Sequence, residues 1–401
     1  MTSERAKGPL NGLRVLDFSI VIAGAMTATL LGDFGAEVVK VERPGVGDPL
    51  RAWAPFKNGV SLWWKAHARN KKSITLNLAK PEGQGIARAL VAKADVMVES
   101  YQPGTMEKWG LDYEALKKAD PRLVMVRVSG FGQTGPYKDL PGFGTVAEAM
   151  SGLVHTTGFQ DGPPILPAFP MADEVAGTFG AMAALMAIYH RDRSGEGQWI
   201  DVSLYEPLFR YMVPNVPEYD QNGVIRGRMG NELHDTAPRN LYRCQDDRWL
   251  SLSASTQGIF ERLAHVIGRP DLLEDERFKD NNARVKNRAE LNTIVQGWIG
   301  ERPLDEAMKR MREAGAVVGP VYDTAMIVDD PHYQAREDVI SVADADLGQL
   351  RMAAPIPKFS LTQGRVSHAG PRLGEHNEEV YREWLGYDAG KLADLKAKGL
   401  V

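Results

Sequence analysis

Four apolar runs alternate with helix-like stretches in the first third of the chain, and this alternation constrains the fold more than any other feature. The runs are RVLDFS (14–19), AEVVKVE (36–42), ADVMVES (94–100) and RLVMVRVSG (122–130). Strands that are apolar along their whole length are typical of parallel sheets that helices cover on both faces. The pattern therefore predicts an α/β fold with an open, mostly parallel sheet.

The loops that follow these strands are expected to face one crevice. Ligands of open parallel sheets bind beyond the carboxyl ends of the strands, because the loops that leave those ends lie side by side. Here the loops begin near Ser19, Glu42, Ser100 and Ser129. The sequence therefore predicts a binding site at this edge of the sheet.

The turn after the first strand lacks the glycine pattern of a dinucleotide-binding site. Closely spaced glycines let a pyrophosphate approach such a turn, and only Gly24 lies there. Nicotinamide binding is therefore not expected. Three cations before a further strand, Arg69, Lys71 and Lys72, allow two interpretations. They form a solvated face, or they hold phosphates through charge-assisted hydrogen bonds.

A chain of 401 residues is too long for one small core, so two domains are expected. We predict a large domain over 1–210 and a smaller α+β domain over 236–317. The polar, proline-broken segment 211–235 is predicted to link them, and 318–335 to lead back. The last part, 336–401, is predicted to return to the large domain, with a β segment followed by a helix.

Composition and charge narrow the possible functions. The formal net charge of −4 provides neither a basic surface for nucleic acid nor a polybasic membrane anchor. Cys244 is the single cysteine, which excludes an internal disulfide and a cysteine-rich metal site. The N-terminus lacks the apolar core of a signal peptide, and no run approaches the roughly 18 apolar residues of a membrane span. We therefore expect a cytoplasmic protein with no metal, nucleic-acid or membrane partner.

Two adjacent carboxylates, Asp173 and Glu174, open an apolar helix in the stretch Phe169–Gly180, which reads FPMADEVAGTFG. Asp173 falls where the helix N-cap is expected. An aspartate there satisfies free backbone N–H groups and stabilises a helix by about 1 kcal/mol. The residues of this stretch alone leave a structural and a catalytic role open.

The segment between Gly130 and Pro170 is dense in glycine and proline. Long irregular stretches are uncommon inside a compact domain unless they build a site. A short helix is predicted over 146–153, and His155 is expected in the loop that follows. The segment delivers the chain to Asp173, so it is expected to form part of any site there.

Eight segments, in order along nearly the whole chain, resemble one family: the family III CoA-transferases of the CaiB/BaiF type, also called the carnitine dehydratase–racemase-like or formyl-CoA transferase-like group. They are LNGLRVLDFS, GDFGAEVVKVERPGVGD, ARNKKSITLNL, ADVMVESYQPGTMEKWGLDYEAL, SGFGQTGP, PMADEVAG, GQWIDVSLYE and LGEHN. One such segment is weak evidence, whereas eight in order are strong.

The resemblance implies a Rossmann-like large domain built from both chain ends, a smaller domain between them, and a homodimer whose chains interlock like rings. It implies an acyl-CoA donor and a carboxylic acid acceptor as substrates, with coenzyme A bound as part of a substrate and no permanently bound cofactor. Succinyl-CoA with a small dicarboxylic or branched acid is a common pair in this family.

The family's nucleophile corresponds to Asp173 in the segment ADEVAG. A carboxylate can attack the thioester carbonyl and expel CoA thiolate, which leaves a mixed anhydride on the enzyme. CoA thiolate then returns to form an aspartyl-CoA thioester, and the acceptor acid is acylated in its turn. The positive end of the helix is expected to keep Asp173 ionised, and backbone N–H groups of the glycine-rich loops to hold the oxyanion.

The resemblance also implies a set of CoA contacts. Arg43 and Lys108 suit the nucleotide phosphates, and Tyr101 can pack on the adenine. Lys71 and Lys72 are candidates for the same phosphate field. The full set of positions that match the family's CoA contacts is Ile22, Ala23, Arg43, Leu76, Asn77, Leu78, Ala79, Ser100, Tyr101 and Lys108, with 76–79 expected to be a strand.

The chain departs from the family pattern at the acyl site. Many relatives read Gly-Tyr-Asp where this chain has Gly142-Phe143-Gly144, and many carry Gln at Glu148. The glycine-rich loop of the formyl-CoA subgroup is absent from the small domain, so oxalate and formate are not expected. The candidate substrate-loop residues are Phe143, Gly144, Glu148, His234 and Arg239, of which His234 and Arg239 can pair with an acceptor carboxylate.

Two alternatives remain open at this point. The fold also serves α-methylacyl-CoA racemases, which use a histidine and an aspartate as paired bases, but residues 142–144 contain no histidine and only His155 lies nearby. The other alternative is a CoA-binding or scaffold subunit without activity. An intact Asp173 in glycine-rich surroundings disfavours that interpretation.

Overall fold

The structure is a computed structural model that describes residues 8–401. The chain divides into two compact units. The first contains the residues up to Leu153 together with Leu166–Gln221 and Gln334–Val401. The second contains Val154–Ile165 and Asn222–Tyr333. The first unit is thus built from both ends of the chain.

The strands are short and fall into four sheets among the described residues. In chain order they are β1 Arg14–Asp17, β2 Glu37–Glu42, β3 Phe56–Lys57, β4 Val60–Ser61, β5 Lys71–Thr75, β6 Val96–Glu99, β7 Val124–Ser129, β8 Trp199–Ser203, β9 Arg239–Arg243, β10 Trp249–Ser253, β11 Val318–Pro320, β12 Val339–Asp344 and β13 Gly348–Ala353.

Helices connect most of these strands, and two 3₁₀ turns lie at Pro49–Ala52 and Pro270–Leu273. The α-helices are α1 Ala23–Asp33, α2 Leu62–His67, α3 Pro81–Val91, α4 Thr105–Lys108, α5 Tyr113–Lys117, α6 Gly144–Met150, α7 Leu153–Thr156, α8 Met171–Ser194, α9 Glu206–Tyr211, α10 Asn215–Asn222, α11 Gln257–Val266, α12 Asn281–Lys286, α13 Arg288–Gly300, α14 Leu304–Glu313, α15 Thr324–Asp329, α16 Pro331–Ala335, α17 Asn377–Leu385 and α18 Ala389–Ala397.

Among residues 8–401, six strands form a parallel sheet in the order β5-β2-β1-β6-β7-β8, which confirms the predicted α/β fold. In its middle, Leu16 on β1 pairs with Val39 on β2 and with Met97 on β6. The chain builds one side of the sheet through β2 and β5, then the other through β6, β7 and β8. Strand order therefore reverses between β1 and β6, which is where open α/β sheets bind ligands.

Helices cover both faces of this sheet. Alternate residues of a strand point to opposite faces, so Leu16 enters one core and Val15 the other. The core around Leu16 is completed by α3, α17 and α18, and the core around Val15 by α1 and α8. Small residues let α8 approach α1 closely, and Thr27 Oγ1 donates to the Gly177 carbonyl at 3.0 Å. A Cβ at Gly177 would lie 2.6 Å from the Ala23 carbonyl oxygen.

Helix α8 is long and apolar enough to cross a membrane, by length and composition, and is alone in this among residues 8–401. This departs from the expectation that no run approaches the length of a span. Here the helix packs on α1 and the sheet and buries Ala172, Ala176, Ala184 and Ala187 in the core. It therefore has the packing of a core helix.

The second unit has an antiparallel sheet of β11, β10 and β9, against which α11, α13 and α14 pack their apolar faces. The C-terminal segment belongs to the first unit. Its strand β13 pairs with β12 in a hairpin instead of joining the central sheet, whereas α17 packs against β5 and α3.

Three local predictions are wrong or incomplete. The polar segment 211–235 contains helix α10, because Pro217 falls in its first turn, where proline is tolerated. The helix predicted over 146–153 is two helices, α6 and α7, separated at Gly152 with φ +89°, and His155 lies in α7 and not in a loop. The predicted strand over 76–79 ends earlier, at Thr75, because the Asn77 N–H pairs with the Leu400 carbonyl outside the sheet.

A buried charge network fixes the start of the turn after β1. The Asp17 carboxylate accepts hydrogen bonds from Lys71 Nζ and from the Ser19 N–H, both at 2.9 Å. Lys40 Nζ lies 3.0 Å from Asp48 Oδ2 and also donates to the Ser19 carbonyl. Burial alone raises the pKa of Asp17, but the two ammonium groups outweigh burial and bring that pKa below its usual range. Lys71 is thus occupied within the core.

Candidate active site

A cavity of about 280 Å³ opens at the carboxyl ends of the central strands. Loops after β1, β6, β7 and β8 form its walls, as expected for the point where strand order reverses. The loop after β2 was expected here but does not line the cavity. The Glu42 carboxylate at the end of β2 instead accepts hydrogen bonds from Arg51 and Ser73. The lining residues are Ile20–Ala23, Ser100–Pro103, Val128–Gly130, Lys138, Leu140–Phe143, Asp173 and Leu204.

The turn after β1 is held in a strained conformation. Val21 has φ +64°, a region that β-branched residues rarely adopt. Its N–H donates to Asp48 Oδ1 at 3.2 Å, and the preceding N–H, of Ile20, donates to Ser100 Oγ at 2.9 Å. Strain of this kind is found where the surrounding structure over-determines the backbone, commonly at ligand sites. The turn that presents Ile22 and Ala23 to the cavity is therefore rigidly placed.

Asp173 is the third residue of α8, not its N-cap as the sequence predicted. Pro170 holds the cap position and has no side chain that can accept a hydrogen bond. Instead, Glu148 Oε1 on α6 accepts from the Ala172 N–H at 3.3 Å. A buried carboxylate from another helix thus satisfies part of the α8 N-terminus, and Asp173 itself is left to face the cavity.

Gly144 gives the Asp173 carboxylate its space. An ideal Cβ on Gly144 would lie only 2.0 Å from Asp173 Oδ2. The backbone at the start of α6 therefore borders directly on the carboxylate, and any side chain at this position would displace it. The space that Asp173 occupies therefore depends on a glycine at position 144.

The environment raises the pKa of Asp173 to about 6. Burial is the largest cause, followed by the negative charges of Glu148 and Glu174, whereas hydrogen bonding to the backbone works in the opposite direction. The helix terminus was expected to keep this acid ionised, but the net shift of its pKa is in the opposite direction, because burial and like charges outweigh the helix effect. Helix-end effects stay within about 0.3–1 kcal/mol at most sites, and desolvation together with two like charges exceeds them.

Four of the predicted CoA-contact residues meet at this cavity: Ile22, Ala23, Ser100 and Tyr101. The Ser100 hydroxyl is engaged with the backbone of the β1 turn, since it also donates to the Ile20 carbonyl at 3.3 Å. Tyr101 packs edge-on against Trp109 with ring centroids 5.1 Å apart, and burial raises the pKa of its phenol to about 12. It is therefore neutral at physiological pH.

The remaining predicted CoA contacts do not line the cavity. Arg43 and Lys108 are exposed on the surface of the first unit. Leu76 and Leu78 are buried in the core around Leu16, so their side chains are not available to a ligand. Asn77 and Ala79 do not line the cavity either. The Asn77 side-chain amide donates to the Gly399 carbonyl, and Ala79 is exposed.

The cations at the start of β5, Arg69, Lys71 and Lys72, are paired with carboxylates of the protein. Arg69 bonds both carboxylate oxygens of Asp33, and Lys72 Nζ lies 2.8 Å from Glu37 and 2.6 Å from Glu379. With Lys71 bound to Asp17, none of the three cations is free to meet a phosphate in this structure. These ion pairs disfavour the phosphate-binding interpretation of the cluster.

The substrate-loop candidates divide between the two units. Phe143 lines the cavity and is 72% exposed, while Gly144 and Glu148 adjoin Asp173 and its helix. His234 and Arg239 belong to the second unit and bond within it. His234 Nε2 lies 3.2 Å from the Gly227 carbonyl oxygen, and Arg239 donates to the Asn231 carbonyl at 2.8 Å.

Sequence reasoning missed Lys138. It is the cation among the described residues that line the cavity, and it lies in the glycine- and proline-rich segment that the sequence marked as site-forming. Its ammonium group pairs with the neighbouring Asp139 at 2.8 Å. Both side chains are substantially exposed, so this pair is weak and a ligand anion can compete for the lysine. Its position in this glycine- and proline-rich segment was the one feature of the sequence that could have identified Lys138.

No group of three or more His, Cys, Asp or Glu side chains placed to hold a metal ion occurs in residues 8–401. The titratable groups that border the Asp173 carboxylate are Glu148 and Glu174. The arrangement therefore offers one cavity-lining carboxylate, that of Asp173, with two further carboxylates beside it.

Comparison with known proteins places the chain in a family. The family model of CoA-transferase family III matches residues 10–377. A succinyl-CoA–D-citramalate CoA-transferase of Chloroflexus aurantiacus is 44% identical over 402 residues, covering 100% of both chains. The beta subunit of the succinyl-CoA–L-malate CoA-transferase of that organism is 40% identical over 98% of each chain.

A solved structure agrees with these sequence matches. A CaiB/BaiF family protein from Brucella suis superposes with a TM-score of 0.84 and 31% identity, covering 94% of this chain and 100% of that one. The match includes both units and the central parallel sheet, because it extends over nearly the whole chain. The chain belongs to CoA-transferase family III.

Proposed function

We propose that the protein moves CoA from an acyl-CoA thioester to a free carboxylic acid, with Asp173 as the covalent nucleophile. The observation that carries this proposal is the Asp173 carboxylate, which faces the cavity at the strand-order reversal with Gly144 leaving its oxygens clear. A pKa near 6 leaves this carboxylate mostly ionised at neutral pH and more basic than a free aspartate, which favours nucleophilic attack.

The chemistry balances without a metal or a nucleotide cofactor. The Asp173 carboxylate forms a bond to the acyl carbon as the C–S bond breaks, which gives a mixed anhydride and CoA thiolate. The thiolate then attacks the aspartyl carbonyl, which releases the donor acid and leaves an aspartyl-CoA thioester. The acceptor carboxylate displaces this thiolate to form a second anhydride, and the thiolate attacks the acceptor's acyl carbon to give the new thioester and free Asp173.

The cavity is too small to enclose a whole CoA. Pockets that bury a drug-sized ligand occupy roughly 300–1,000 Å³, whereas this one measures about 280 Å³. It suits the thioester end, with the pantetheine arm leaving past Tyr101 and the rigid turn at Ile22. We assign the nucleotide phosphates to the exposed cations Arg43 and Lys108, whose placement leaves both free to meet a ligand at the surface.

Dicarboxylic acids are the substrate class that we favour. The similar proteins are named for succinyl-CoA, citramalate and malate, and each of these carries a carboxylate besides the reacting one. Lys138 can bind that second carboxylate, because it lines the same cavity as Asp173. The racemase alternative is less well supported, since the described residues that line the cavity include no histidine to act as a second base.

We further propose that the protein is a homodimer in the cytoplasm, with the interlocked chains of its family. Four apolar side chains at helical spacing are exposed on α8: Met182, Leu185, Met186 and Tyr189. Monomeric proteins rarely leave such contiguous patches uncovered. A second chain that packs on this face would bury it.

Sedimentation equilibrium is expected to give twice the chain mass of 44.2 kDa at micromolar concentration. Burial of an apolar helix face stabilises association at this dilution, so the mass should not fall on further dilution into the high nanomolar range. A mass of one chain throughout would contradict the dimer.

Asp173→Asn is expected to abolish transfer, because the amide is neither charged nor nucleophilic. In the unaltered protein, incubation with acyl-CoA and then hydroxylamine should modify Asp173, as read by peptide mass spectrometry. Asp192→Asn, an exposed position on the same helix, serves as the matched control and should keep full activity. Full transfer activity in Asp173→Asn would rule out the proposed nucleophile.

Gly144→Ala is expected to lower kcat by about a hundredfold, because a small misplacement of a reacting group costs that much and the new Cβ would lie 2.0 Å from Asp173 Oδ2. Gly297→Ala on α13 is the matched control, since a Cβ there meets open space. Steady-state kinetics, with thermal unfolding to confirm the fold, measure the effect. An unchanged kcat in Gly144→Ala would show that the carboxylate does not act from this position.

Lys138→Met is expected to raise KM for succinyl-CoA by about tenfold or more, the usual contribution of a hydrogen bond to a charged group, and to leave butyryl-CoA unaffected. Butyryl-CoA has the same chain length without the distal carboxylate. Exposed Lys93→Met is the matched control. Equal losses with both donors would place Lys138 on the CoA moiety, and no loss with either would remove it from the site.

A further inference from the structure

Next to the nucleophile, Glu174 is paired with a histidine that sequence reasoning did not select. His67 Nε2, at the end of α2, lies 3.1 Å from Glu174 Oε1. The side chains are only 11% and 21% exposed. Trp63 stacks on the imidazole with ring centroids 5.3 Å apart, and Thr29 Oγ1 on α1 donates to the His67 carbonyl. The pair is therefore held in place from three helices.

Each member of the pair depends on the other. His67 Nδ1 and Glu174 Oε2 are both buried and have no hydrogen-bond partner among the described residues. The contact between Nε2 and Oε1 is thus what satisfies both side chains. Removal of one partner from a pair this enclosed leaves a desolvated polar group, which costs far more than the loss of an exposed pair.

The charges that surround Asp173 connect this pair to the proposed reaction. The carboxylates that act on it are Glu148 from α6 and Glu174 from its own helix. From α1, the residues packed against the first turns of α8 are Ala23, Met26 and Thr27, none of them titratable. Charged groups on the other elements that pack on α8 have partners of their own: Arg127 on β7 with Glu99, Asp201 on β8 with the Gln133 N–H, and Glu206 on α9 with Ser203.

We infer that His67 is a positioning residue for the acyl transfer, acting through Glu174 by a hydrogen bond that holds the Glu174 carboxylate beside Asp173. The inference rests on the proposed function of Asp173. Glu174 opposes ionisation of its neighbour, and a hydrogen bond from the imidazole directs its charge toward α2. The two members of the pair therefore act on the nucleophile in opposite directions.

The pH dependence of kcat/KM tests this inference, because variants of Glu174 and of His67 should shift the acid limb of the profile in opposite directions. The acid limb of the unaltered protein reports ionisation of Asp173 and is expected near pH 6. Glu174→Gln removes a like charge, so the limb should move to lower pH by about one unit. His67→Ala removes the hydrogen bond that holds the Glu174 carboxylate toward α2, so the limb should move to higher pH. In the double variant the limb should match that of Glu174→Gln alone, because His67 then has no carboxylate to hold.

His67→Gln, which keeps an N–H donor, is expected to lie between His67→Ala and the unaltered protein. It also keeps the test open if His67→Ala does not fold. His265→Ala, exposed on α11, is the matched control and should leave the profile unchanged. Shifts of the same sign in both single variants, no shift in either, or additive shifts in the double variant would overturn the inference.

Trapping with hydroxylamine separates this inference from the proposed function. Each variant is incubated with acyl-CoA and then hydroxylamine, and the mass of the peptide that contains Asp173 is measured by mass spectrometry. If Asp173 is modified but the acid limb of the pH profile does not shift in the His67 variants, the role of His67 is contradicted and the nucleophile stands. An unmodified Asp173 in the unaltered protein contradicts the nucleophile itself, and the inference with it.

Discussion

The parallel pairing of β1 with β6 is the constraint on which the site depends. It places the strand-order reversal in the middle of the sheet, so that loops from both halves of the chain's path converge at one edge. Buried charges anchor the first of these loops, and the strained Val21 conformation follows from that anchoring. The cavity is therefore a product of topology, and its walls are rigid because the core beneath them is.

The cavity contains a carboxylate, that of Asp173, in surroundings that disfavour its ionised form. Asp173 is set beside Glu148, which satisfies the helix N-terminus, and beside Glu174, which His67 holds. Burial and like charge raise its pKa to about 6, and such perturbed groups in clefts are candidates for catalysis. On the proposed function, the arrangement that makes this acid more basic also makes the folded state bear the cost of its ionisation.

The sequence was sufficient for the architecture, and it selected Asp173 as a candidate, which the structure places at the cavity. The segment 94–100 is apolar along its length, so its composition alone indicates a buried strand. The sequence was insufficient where partners are distant along the chain. Lys71 meets Asp17 across 54 residues and Glu148 meets Ala172 across 24, so local pattern marked Lys71 as a phosphate ligand and Asp173 as a cap. His67 carried no sequence signal, since only packing brings it to Glu174.

Transfer of oxygen tests the covalent role of Asp173 most directly. The protein is allowed to catalyse many turnovers with an acceptor acid whose carboxylate is labelled with ¹⁸O. The mass of the peptide that contains Asp173 is then measured by mass spectrometry. Each aspartyl cycle breaks the anhydride at the acceptor's acyl carbon, so one acceptor oxygen should remain on the Asp173 carboxylate. Label that passes only into the acyl-CoA product and the acids, with none on Asp173 after many turnovers, would contradict the account.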